Sequence, residues 1–160
     1  MKNPQKGFTL LLAALVASIV LSLGASIYTI ASKSLILSSI GRDSQFAFYA
    51  ADTGSECALF WDLRFGYFAT TAPASVVAPD PQCAATTLSA SGRSTTYPYT
   101  MTFQFEPNGF CSIVNVTKDQ VNVNGNLIIT TLIHSDGYNT NCTIKADAAR
   151  SLQRSVELHY

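Results

Sequence analysis

His134, Ser135 and Asp136 put a base, a hydroxyl and a carboxylate side by side, the parts of an acyl-transfer triad. No Gly-x-Ser-x-Gly turn surrounds Ser135, and neighbours on a strand point to opposite faces, so the three do not converge. Asp119, Asn122, Asn124, Gly125 and Asn126 offer oxygens to a calcium ion. They lack the EF-hand spacing and include one carboxylate, which favours a hairpin turn. The four cysteines, Cys57, Cys83, Cys111 and Cys142, form no C-x-x-C pair, and His134 and His159 are too few for an ordinary zinc cluster. Asn115-Val116-Thr117 and Asn141-Cys142-Thr143 fit the glycosylation sequon, a three-residue pattern that chance supplies often. These residues predict no enzyme: no catalytic residue, no metal and no cofactor.

An even number of widely spaced cysteines behind an export-like N-terminus points to two disulfides in an oxidising compartment, ahead of a catalytic or redox-active thiol. Three pairings are possible. Cys57–Cys83 and Cys111–Cys142 are expected, because the first closes the loop after a helix and the second ties strands of one meander.

The elements that position these residues begin with a helix. From Phe8 to Ala31 no residue is charged and no proline intervenes. A helix of roughly 24 residues spans about 36 Å, enough for the hydrocarbon core of a bilayer. Ile36, Ile40, Asp43, Ala47, Ala50, Gly54, Cys57 and Trp61 then recur at three and four, one face of a continuing helix. One helix from about Phe8 to Asp62 is predicted, apolar first and amphipathic later. Ser18, Ser22 and Ser26 recur every fourth residue, either bonding back to the previous turn or packing on another helix. The small stripe Ala47, Ala50 and Gly54 lets a sheet approach. Phe46, Tyr49 and Phe60 form a second, aromatic flank that reads first as core and second as a contact for neighbouring subunits.

From residue 63 to about 96, Gly66, Pro73, Pro79, Asp80, Pro81 and Gly92 argue for irregular chain. The period then becomes two. Tyr99–Phe105 and Cys111–Thr117 are predicted strands around the turn Pro107-Asn108-Gly109. Residues 118–126, with Asn124-Gly125, close a hairpin onto a strand from Leu127 to His134. Residues 135–139 are read as a turn and Leu152–Tyr160 as the last strand. The fold class is α+β: a long N-terminal helix on a four-stranded antiparallel sheet.

The chain has 160 residues, one domain by length, with about 100 left for a head once the apolar helix is set aside. Ten basic and ten acidic residues cancel, so there is neither a basic patch for nucleic acid nor an acidic tail.

The N-terminus resembles a known family. Lys2 and Lys6 precede Gly7-Phe8-Thr9-Leu10 and the apolar helix, which looks like the class III signal of type IV prepilins. Ala47 to Gly54, followed by Glu56-Cys57-Ala58, is similar to the Ala-Ala-Glu-x-Gly segment of PilX-type and K-type minor pilins. The likeness covers about the first 60 residues. It implies a leader at 1–7, a transmembrane or bundle segment at 8–33 and an extracytoplasmic pilin-like head at 34–160. It further implies cleavage between Gly7 and Phe8 by a prepilin peptidase and N-methylation of Phe8. Partners would be the inner membrane before assembly and other pilin subunits afterwards, through the N-terminal helix, in a cell-surface fibre. Major pilins carry glutamate five residues into the mature chain. That position is Leu12 here; PilX-type and K-type subunits commonly lack the glutamate as well, and Leu12 is the expected determinant of place in a fibre. The function so implied is a minor type IV pilin or pseudopilin that initiates or caps a fibre. The alternatives are an ordinary secretory signal, which the length of the apolar run opposes, and a single-span anchor carrying a binding module or adhesin outside any fibre.

Overall fold

A computed structural model describes residues 5–70, 81–88, 94–145 and 150–160, with side chains from Phe8 onward. The chain divides into two compact units, Met1–Gly41 and Arg42–Tyr160. Helix α1 (Gln5–Phe65) makes up the described part of the first unit and enters the second. It is three residues longer at each end than its periodicity suggests. Its stop is chemical: Gly66 takes φ +58°, its N–H bonds Asp62 O at 2.9 Å, and Tyr67 N–H reaches back to Trp61 O at 3.1 Å. The first is the αL cap, in which the N–H of the left-handed residue just past the helix reaches the carbonyl four residues back, and with the second it satisfies two of the last helical carbonyls.

In the second unit α1 packs on the sheet β3 (Tyr99–Phe105), β4 (Ser112–Val123), β5 (Asn126–Tyr138) and β6 (Gln153–His159). All pairs are antiparallel, in the order β3-β4-β5-β6, so the long helix and four-stranded meander read from the sequence are both present. A small ribbon of β1 (Gln82–Cys83) and β2 (Thr86–Thr87) lies within the stretch expected to be irregular. Pro73, Pro79, Asp80 and Gly92, on which that expectation partly rested, lie outside the described residues. The indole of Trp61 donates to Gln82 O at 3.2 Å, holding β1 to the end of the helix.

The interior face of the sheet carries Tyr99, Met101, Phe103 and Phe105 from β3, Val114 and Val116 from β4, and Ile133 from β5. Ala58, Trp61 and Phe68 cover them. Full burial of each large side chain contributes about 1.5–3 kcal/mol. The aromatic flank is corrected by this packing. Phe46, Tyr49 and Phe60 remain exposed, because the sheet seats on the face bearing Ala47, Ala50, Ala51 and Ala58. Phe46 instead stacks on Phe110, ring centres 4.8 Å apart.

Two turn readings are also corrected. The β4–β5 connection is only Asn124-Gly125, at φ +55° and +86°, so the strands run almost to its tip. Residues 135–138 are strand, not turn. Gly137 there serves close approach rather than chain reversal. A Cβ on it would stand 2.1 Å from Ala47 O and 2.3 Å from Ala51 N. Glycine inside a strand often marks such a place.

Candidate functional site

Gly7 and Phe8 lie in the first turn of α1, and Leu12 follows one turn later on the face of Phe8. The side chains of Phe8 and Leu12 are exposed, Leu12 at 53%. The exposed apolar run continues through Leu15, Val16, Ile19, Val20, Leu23, Ile27 and Ile30. By length and composition this is one helix long and apolar enough to cross a membrane. The serine series resolves one way. Ser18, Ser22 and Ser26 donate to Leu15 O, Ile19 O and Leu23 O at 2.8–2.9 Å, and Thr29 donates to Ala25 O at 2.6 Å. Each hydroxyl is satisfied within its own helix, so the polar atoms present no unmet need to lipid or to a neighbouring helix.

The hydroxyl of Ser135 points inward, away from its sequence neighbours. It lies 3.5 Å from Ser112 Oγ, and both face Gly54. His134 and Asp136 are on the opposite face, joined at 3.2 Å. His134 Nδ1 also meets Glu157 at 3.1 Å, and Glu157 binds His159 at 2.7 Å. These bonds, with that of His159 the larger effect, hold the Glu157 carboxyl below its ordinary range. Among the described residues no group of three or more His, Cys, Asp or Glu is arranged to hold a metal ion. The oxygen-rich stretch 119–126 forms the β4–β5 ribbon, and Asn122 Oδ1 accepts from Gly125 N–H at 2.9 Å. Of the two sequons, Asn115 accepts from the Thr102 hydroxyl at 2.7 Å on the sheet's outer face, and Asn141 accepts from Thr143 and from Ile144 N–H.

The cysteines form Cys57–Cys83, joining α1 to β1, and Cys111–Cys142, joining the residue just before β4 to the segment after β5. Their loops close over 26 and 31 residues. Each closure restricts the unfolded chain by about 3–4 kcal/mol in the chain-entropy account.

Sequence reasoning missed one polar cluster. Lys118 Nζ donates to Asp62 Oδ2 at 2.5 Å and to Thr131 Oγ1 at 2.8 Å, and Tyr160 OH donates to the same Asp62 oxygen at 2.5 Å. The Lys118 and Asp62 side chains are only 8% and 5% exposed. Desolvation offsets much of the attraction in a buried pair, but removing one partner strands a charge. Burial first, then the bond to Asp62 and its charge, raise the Tyr160 phenol above its ordinary range, while Thr131 opposes them slightly. The missed signal was parity. Lys118 follows Val114 and Val116 at even spacing, so a continuing strand points it inward beneath the last turns of α1.

The chain matches no protein-family model, no curated protein and no solved structure.

Proposed function

We propose that this protein is a minor type IV pilin or pseudopilin, a structural subunit rather than an enzyme. The observation that carries the reading is one helix, Gln5–Phe65, whose uncharged run from Phe8 to Ala31 exposes apolar side chains and whose late part is seated on an antiparallel sheet. Such a helix has two environments that keep its surface from water, a bilayer and a bundle of similar helices. Its serines and threonine bond to their own turns and so suit both. The Gly7-Phe8-Thr9-Leu10 signal supplies the processing step, and two disulfides suit a head outside the cytoplasm.

N-terminal sequencing and intact mass of protein from cells carrying a prepilin peptidase test the reading. Phe8, N-methylated, is expected as the first residue. Gly7→Val is expected to accumulate as full-length membrane precursor, since the larger side chain crowds a protease site beside the membrane. Recovery of Met1 as the first residue of the wild-type protein would replace the fibre subunit with a single-span anchored module.

A further inference from the structure

The β4–β5 ribbon outruns its sheet. β3 ends its pairing at Tyr99 opposite Lys118, and the β6 side ends at Tyr160 opposite Thr131. Among the described residues, no strand borders 119–123 or 126–130. This ribbon exposes Val121, Val123, Leu127, Ile128 and Ile129, the last three at 64, 47 and 50%. Its apolar residues lie on both faces, since Leu127 and Ile129 share the parity of the buried Ile133 and Ile128 does not. An exposed edge in a monomeric protein is usually guarded by charge, proline or a bulge. The β5 edge, Asn126-Leu127-Ile128-Ile129-Thr130, has none of these. The β4 edge carries Asp119, Gln120 and Asn122 and is the more polar of the two.

We infer that the β5 edge is an interface for a second copy of this chain, paired antiparallel about Ile128. The hydrogen-bond phase favours it. Thr131 exchanges N–H and C=O with Tyr160, at 2.8 and 3.1 Å, so its backbone groups face the β6 side. By alternation, Leu127 and Ile129 turn theirs to the same, open side. A two-fold axis at Ile128 sets Leu127 against Ile129 in both directions, giving four backbone bonds. It also sets the two Ile128 residues in the closer, non-hydrogen-bonded position on the outer face. Every exposed apolar side chain of the segment then gains an apolar cross-strand neighbour. Length fits as well: the vacancy between the Asn124-Gly125 turn and Tyr160 is five residues, and the incoming strand has the same five before its own turn folds away. No like charges meet in the paired segment, and a net charge of zero imposes no general repulsion between copies. The inference does not depend on the fibre reading, since it needs only the ribbon.

Disulfide trapping of the full-length chain, purified in detergent, tests it. All four native cysteines are already paired, so an added thiol reports its own neighbourhood. Ile128→Cys should form a covalent dimer under mild oxidation, because two cysteines at a non-hydrogen-bonded antiparallel position suit disulfide geometry. Val121→Cys, on the same outer face but on β4, should remain largely monomeric. Adding Ile129→Pro to Ile128→Cys removes an outward N–H without touching the β4 ladder, and should abolish the cross-link while circular dichroism stays native. A monomeric Ile128→Cys overturns the interface. Equal cross-linking of Ile128→Cys and Val121→Cys also overturns it, as does a cross-link that survives Ile129→Pro, since either traces association to another part of the chain.

Discussion

At Gly54 a single hydrogen sets how closely helix and sheet approach. A Cβ there would stand 2.2 Å from Ser112 Oγ, 2.3 Å from Ser135 Oγ and 2.9 Å from a Val114 methyl. Gly54→Ala would ordinarily gain about 1 kcal/mol of helix propensity. Here it should instead destabilise by about 1–3 kcal/mol, as overpacking of a filled interior does. Removing the two hydroxyls as well, with Ser112→Ala and Ser135→Ala, should return most of the loss. Urea unfolding of the variants decides it, and a single Gly54→Ala at least as stable as wild type would refute the account. Tyr160 makes a second prediction. Its phenol is raised, so folding favours the neutral form, and that contribution is complete below the ordinary phenol range near pH 10 and is lost as pH rises beyond it. Tyr160→Phe should cost about 1.5–3 kcal/mol at neutral pH, the worth of a bond to a charged group. The gap between wild type and Tyr160→Phe should narrow in melting curves taken above pH 10; a constant gap across that window would remove Tyr160 as the titrating group. Gly54 was legible in the sequence as part of a small stripe. The cluster around Lys118 was not, because a lysine beside Asp119 and Asn122 reads as turn surface unless the strand's parity is carried through it.

At the scale of elements, β3 was legible to the residue because its faces alternate buried and exposed, and α1 to within one turn because an uncharged apolar run passes into a three-and-four repeat that the sheet covers from Ala47 onward. The length of β5 was hidden. Ser135-Asp136-Gly137 has turn composition, yet the serine lies inward against Gly54, the aspartate binds Ser155 and Gln153 on the outer face, and the glycine admits the helix backbone. Each small residue answers the nearness of α1, a long-range fact that no local window contains. Gly137→Ala follows from this. Its Cβ would meet backbone atoms of Ala47 and Ala51 rather than movable side-chain ends. The loss should therefore reach the upper part of the overpacking range, about 3 kcal/mol, and exceed that of Gly54→Ala. Hydrogen exchange should show faster opening along 133–138 and 153–158, where β5 pairs with β6. Unchanged exchange in both strands would mean that the sheet does not depend on this approach. The ribbon tip was legible as Asn124-Gly125, but that no strand flanks it among the described residues was not, because strand ends on β3 and β6 set it.

For the whole molecule, the fibre reading joins an exposed apolar helix to a disulfide-tied head, and Leu12 bears on where such a subunit would stand. In the pilin scheme that the N-terminal resemblance brings, a glutamate at this position meets the N-terminal amine of a neighbouring subunit as the helix enters the bundle. A carboxylate in that apolar setting is costly unless paired. A subunit with no neighbour ahead of it would leave the glutamate unpaired, and leucine removes that cost. Leucine also removes the attraction that would seat the subunit beneath another. Both effects favour the tip, or a small initiating complex, over the shaft. The exposed Leu12 side chain lies one turn from Phe8 on the same face, so substitution there need not disturb the head. Gold-labelled heads on purified fibres are expected at one end for the wild-type protein. Leu12→Glu should redistribute label into the shaft, with the total incorporated rising as the lost attraction is restored. Wild-type label spread evenly along the shaft would exclude the tip position, and tip-only labelling of Leu12→Glu would move the determinant from Leu12 to the head.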